Sequence, residues 1–149
     1  MIFKSQLRKF YERFISLKGE PKPIAAGLAM GIFVGITPTI PFHTALIIVL
    51  GLLFKQNMTA AYFGSWLISN PVTIPILYFS QYQLGRHLLG MAPCRFELAD
   101  YSLRSIFHMG GQFLLPLLTG GMVMAFLVAL PAYFISRRLI VAIRAKRER

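Results

Sequence analysis

Thr37-Pro38-Thr39-Ile40-Pro41 interrupts an apolar run of 31 residues, 24–54, that contains no charge and a single imidazole, His43. The run exceeds the roughly 18 to 20 apolar residues that suggest a membrane span, yet two prolines sit in its middle. Proline lacks an amide hydrogen and its ring clashes with the preceding turn, so one helix is expected to stop near Ile36. A second helix then starts at once, with Thr39 as N-cap and Pro41 in the first turn, where amide hydrogens have no intrahelical partner. The first half, 24–36, is about 20 Å long and cannot cross a hydrocarbon core about 30 Å thick. As one kinked rod the whole run would be about 46 Å long and need a tilt of about 50°, outside the usual range. A re-entrant or sharply folded segment fits better.

The same device recurs 34 residues later, where Asn70-Pro71-Val72-Thr73-Ile74-Pro75 breaks a second apolar stretch, 58–90. At that offset Gly27, Gly31 and Gly35 align with Ala61, Ser65 and Ser69. Each break is therefore preceded by a stripe of small residues, which lets helices approach closely in lipid. Paired broken segments at corresponding positions point to a site near the bilayer midplane. Irregular backbone at that depth is tolerated only where it is buried in protein or lines a cavity, so the breaks should face each other or a pocket.

The composition, 56% apolar and 14% charged over 149 residues, is that of a small integral membrane protein rather than a soluble domain. Of the 16 basic residues, twelve lie at 4–22 and 137–149. They bracket the apolar segments in the positive-inside pattern, which argues against nucleic-acid binding and puts both termini of a multi-pass membrane protein in the cytoplasm. The single cysteine, Cys94, excludes an internal disulfide and a multi-cysteine metal site. No cleavable signal peptide is expected, because the first long apolar run follows a charged amphipathic segment and is far too long for a signal core.

Five regions follow. In 1–20, Phe3, Leu7, Phe10, Phe14 and Leu17 recur at helical spacing while Lys4, Arg8, Lys9 and Arg13 fall elsewhere around the helix. This is an amphipathic helix, lying on the cytoplasmic leaflet or packed on the protein's own bundle. The duplicated broken-helix core occupies 21–90, and 91–105 is a polar loop or a short amphipathic helix. A transmembrane helix is expected over 106–136, containing the uncharged stretch 113–135 despite Pro116 and Pro131, followed by the basic tail 137–149. With both termini inside and one final crossing, the two broken segments must together cross an odd number of times. The second, through its longer half 73–90, is the one expected to cross. The expected fold is all-α: a small integral membrane helical bundle with two proline-broken, re-entrant-like segments, an N-terminal amphipathic helix and one long C-terminal span.

Ala25-Ala26-Gly27, Gly31-Ile32-Phe33-Val34-Gly35, Pro38, His43 and Asn57 precede Trp66-x-x-x-Asn70-Pro71-x-Thr73-x-x-Pro75-x-x-Tyr78, with Tyr82 and Gly85. This pattern resembles the bacterial membrane family catalogued as domain of unknown function 2062, over about 21–90 and loosely as far as the last span. Family members often have glycine where this chain has Pro41 and arginine where it has Lys55. The resemblance implies an inner-membrane protein of Gram-negative bacteria and brings no established activity.

No nucleophile, acid–base pair or metal site is recognisable among His43, His87, His108, Cys94, Glu97 and Asp100, so neither an enzyme nor a cofactor is expected. The membrane interior lacks carboxylates, which argues against an acid-based proton relay. What remains is polar and uncharged and clusters at the breaks. Thr37, Thr39, His43, Asn70, Thr73 and Tyr78 are the candidate substrate-binding residues, and Pro38, Pro41, Pro71 and Pro75 are the structural breaks. Two half-helices starting at Thr39 and Thr73 would direct amide hydrogens and positive dipole ends at an anionic group. The competing reading is that these side chains only satisfy freed backbone. The leading functional expectation is a small transporter or lipid-handling protein for an anionic lipid or small anionic solute. The alternative is an accessory or scaffold protein of the envelope that packs through its stripes against a partner, a homo-oligomer included.

Overall fold

The computed structural model describes residues 4–5, 8–9, 12–13, 16–39, 42–93 and 103–149. Among them are five long helices: α1 (Pro21–Ile36), α2 (His43–Leu53), α3 (Met58–Ile68), α4 (Thr73–Leu89) and α5 (Leu103–Arg147). The fold is all-helical, as the composition and spacing lead one to expect.

Proline starts and stops α1. Pro21 occupies the first helical turn, where its missing amide hydrogen costs nothing, and Pro38 holds Thr37 in an extended conformation (φ −63°, ψ 131°) that ends the helix at Ile36. The second half-helix starts later than expected: its N-cap is Phe42 rather than Thr39, and its first residue is His43. Thr39 instead closes a turn, its carbonyl accepting from the Phe42 amide at 2.6 Å. Pro41 lies outside the described residues. Asn57 starts α3 with a side-chain cap, Oδ1 accepting from the Ala60 amide at 2.9 Å. Gly90, in the left-handed region at φ 63°, ends α4.

The small-residue stripes meet each other. A Cβ at Gly31 would overlap the Ala61 carbonyl, one at Gly27 the Asn57 carbonyl, and one at Gly35 would stand 3.1 Å from the Ser65 Cα. The spatial pairing therefore runs at an offset of 30, one helical turn from the 34-residue sequence repeat, and α1 and α3 are parallel. Gly31 and Gly35 are buried in this contact.

Helix α2 runs back against α1, with His43 beside Val34 and Gly35, and Gly51 facing Met30. Helix α5 lies antiparallel to α1 along its second half: Gly121 faces Pro38, and Phe33 meets Phe126 edge-on at 5.0 Å. At the far end Arg144 donates to the carbonyls of Gly19 (2.6 Å) and Leu17 (3.2 Å). The first half of α5 pairs with α4 instead, where Cβ atoms at Gly85 and Gly120 would overlap the Pro116 and Gln81 carbonyls. Thus α1 and α4 follow one another along α5, which at 45 residues is about 68 Å long. The chain runs up through α1, down through α2, up through α3 and α4, and down through α5.

The main core is Ile24, Leu28, Ile32 and Ile36 of α1 with Ala60, Ala125 and Ile140. Leu17 packs against it, so the end of the N-terminal segment is attached to the bundle. The described residues at 4–5, 8–9 and 12–13 are helical, whereas Phe3, Leu7, Phe10 and Phe14 lie outside the described residues. So do Cys94, Glu97 and Asp100. Helix α5 extends beyond the expected span in both directions, with Pro116 and Pro131 inside it. It contains the one helix stretch, Gly110–Arg147, long and apolar enough to cross a membrane among the described residues.

Candidate functional site

The end of α1 has to satisfy the carbonyls of Phe33, Val34, Gly35 and Ile36, which no later helical amide reaches. Thr37 and Gln81 supply donors to the first and the last of them. The amide and hydroxyl of Thr37 both donate to the Phe33 carbonyl, at 3.0 and 2.7 Å. The His43 imidazole lies against the backbone of Val34 and Gly35. Gln81, fully buried in the middle of α4, donates from Nε2 to the Ile36 carbonyl at 2.5 Å. Thr39 stays within the break, its hydroxyl donating to the Thr37 carbonyl at 3.5 Å.

This junction is incompletely paired. Gln81 Oε1 and His43 Nε2 are both buried without a hydrogen-bond partner. Unmade hydrogen bonds on buried polar atoms are rare and costly, so each asks for an explanation. Gly121 admits the arrangement: its missing side chain leaves room for Pro38 Cδ and Gln81 Oε1, which a Cβ there would approach to 2.7 and 3.2 Å. Helix α2 begins beside this junction without a side-chain cap.

The second break is closed on itself. Asn70 Oδ1 accepts from the amides of Val72 and Thr73, each at 3.1 Å, and Asn70 Nδ2 donates to the Leu67 carbonyl at 3.4 Å. The Thr73 hydroxyl donates to the carbonyls of Ile68 and Asn70. Helix α4 starts at Thr73 as expected, with Pro71 in the turn and Pro75 in the first helical turn. Its N-terminal amides are thus partly taken by Asn70, and the hydrogen bonds of Asn70 and Thr73 stay within their own turn. Tyr78 is half-buried on α4, and Tyr82, one turn on, stacks on Phe113 at 5.2 Å. Of the sequence candidates, the structure brings Thr37, Thr39 and His43 together at the end of α1 and leaves Asn70 and Thr73 in a separate turn.

Gln81 and Gly121 were not among the candidates. The available signal was the pairing of Gln81 with Gly85 one turn apart, a polar group beside a small residue in an otherwise apolar segment. Its partner, the Ile36 carbonyl, lies 45 residues away in the chain.

Residues 4–149 match the family model described as "Uncharacterized protein conserved in bacteria (DUF2062)". The chain belongs to this family. The expectation drawn from the Asn-Pro-x-Thr-x-x-Pro element holds, and the DUF2062 match extends from the N-terminal segment to the basic tail. No curated protein and no solved structure matches the chain significantly. In this DUF2062 member the family-like residues Pro38, His43, Asn70 and Thr73 are the ones that build the two breaks.

Proposed function

We propose a multi-pass inner-membrane protein, a small transporter or lipid-handling protein, that binds the anionic headgroup or anion of its ligand at the first break. The observation that carries this reading is the pair of buried, unpartnered atoms at the end of α1, Gln81 Oε1 and His43 Nε2. Oε1 can only accept, so it calls for a hydroxyl or ammonium hydrogen on the ligand. The uncapped start of α2 presents the positive end of an 11-residue helix, which favours an anion. A phosphate ester carrying a free hydroxyl meets both demands.

Membrane embedding is supported by the large apolar side chains left exposed, among them Val49, Leu52 and Leu53 on α2 and Ile76 and Phe79 on α4. In this topology α1 and α2 form a re-entrant hairpin, α3 and α4 together make one broken crossing, and α5 returns. Arg144 at Gly19 puts the two basic ends of the chain at one end of the molecule, the cytoplasmic one under the positive-inside rule.

The test is thermal unfolding of the purified chain in detergent with glycerol 1-phosphate or phosphatidylglycerol, against phosphatidylcholine as the reference. A raised midpoint with the first two that disappears in His43→Ala supports the reading. Equal midpoints with all three, or a shift that His43→Ala leaves untouched, would remove it.

A further inference from the structure

A groove of about 410 Å³ lies between the N-terminal segment and α3, away from the first break, lined by Arg13, Thr59, Tyr62, Phe63 and Trp66. We infer that this groove holds an anionic phospholipid, with its phosphate on Arg13 and an acyl chain along Tyr62, Phe63 and Trp66.

Charge complementarity carries the choice of occupant. Arg8 is neutralised by Glu12 at 2.9 Å, whereas no carboxylate among the described residues pairs with Arg13. The groove wall therefore offers an unneutralised guanidinium beside apolar rings, a combination suited to a phosphate attached to hydrocarbon. Its placement agrees. The segment carrying Arg13 joins the end of the molecule where Arg144 meets Gly19, and α3 leads away from that end, since Asn57 bonds the Pro23 carbonyl at 3.3 Å. Thr59, Tyr62 and Trp66 follow at helical spacing, and Trp66 is 61% exposed. A lipid would thus meet the cation at its headgroup and the aromatic rings along its chain, the order in which a membrane interface presents them. This inference goes beyond ligand binding at the first break and does not depend on it.

Trp66 is the chain's single tryptophan and reports on its own groove. The full chain is placed in phosphatidylcholine vesicles containing either brominated phosphatidylglycerol or brominated phosphatidylcholine at equal mole fraction, and tryptophan quenching is compared. The expected result is preferential quenching by the anionic lipid, corresponding to about fivefold local enrichment, which converts to about 1 kcal/mol per surface cation. Arg13→Gln should bring the two lipids level. Lys146→Gln, the same loss of charge elsewhere, should leave the preference in place. Equal quenching in the unsubstituted protein would overturn the inference, and so would equal effects of Arg13→Gln and Lys146→Gln, which would make the preference a matter of net charge. Shielding of Trp66 from both lipids, relieved by diluting the protein in the bilayer, would assign the groove to a second copy and also overturn it. Circular dichroism of each variant checks that the helices persist.

Discussion

Gln81 reaches from the middle of α4 to the last carbonyl of α1 and thereby joins the two helices that follow one another along α5. Gln81→Leu would keep the volume near that of glutamine but leave the Ile36 carbonyl without its donor. The expected loss is about 1–3 kcal/mol, the penalty of a buried unsatisfied acceptor, read as a lower midpoint in SDS-induced unfolding. At the second break Asn70 acts as a cap, and Asn70→Ala should cost about 1 kcal/mol in the same measurement. Asn70→Asp keeps the accepting oxygen for the Val72 and Thr73 amides and should recover most of that loss. Equal losses for the two substitutions would show that the cap is not what stabilises the start of α4.

Between elements, close approach of backbones replaces side-chain interdigitation. Helix α1 meets α3 through Gly27, Gly31 and Gly35, and α4 meets α5 through Gly85 and Gly120; at Gly27, Gly31, Gly85 and Gly120 a carbonyl stands where a Cβ would. Gly31→Ala and Gly120→Ala are therefore each expected to destabilise by about 1–3 kcal/mol through overpacking. Gly111→Ala, in the same long helix as Gly120 but with nothing within 4 Å of the added atom, should be neutral or stabilising by up to about 1 kcal/mol. Since each of these substitutions makes the same gain in helix propensity, the difference between them isolates the contact. SDS unfolding midpoints of the three variants, ranked against the unsubstituted protein, are the check.

For the whole molecule, the direction of each helix sets which turns share a side. If α1 and α2 form a re-entrant hairpin, the turn at Lys55 returns to the side of the basic termini, and the segment after α4 lies opposite. On a Cys94→Ser background, Lys55→Cys and Arg149→Cys should both resist an impermeant maleimide in intact cells whose outer membrane has been opened. Cys94 itself, which lies outside the described residues, should react under those conditions in the otherwise unsubstituted chain. Labelling of Lys55→Cys from the periplasm would mean that the first segment crosses completely and would discard the hairpin.

Local rules determined much of this protein. Pro38 ended α1 at Ile36 because the residue before a proline is driven out of helix, and Asn-Pro-x-Thr placed the start of α4 at Thr73 because asparagine and threonine supply the acceptors that the turn needs. The late start of α2 escaped that logic, because the Thr39 carbonyl closed a turn onto Phe42 before the helix began. Only the tertiary structure decided which small residues face one another. The sequence repeat suggests an offset of 34, but parallel packing of α1 on α3 put Gly31 on Ala61, one turn away, since interlocking depends on the rotation of both helices and not on the repeat. It also decided the partners of the freed carbonyls. Composition could say that the end of α1 inside an apolar bundle must be satisfied, but only the stacking of α1 and α4 along one long helix could bring Gln81 to Ile36 across 45 residues of chain.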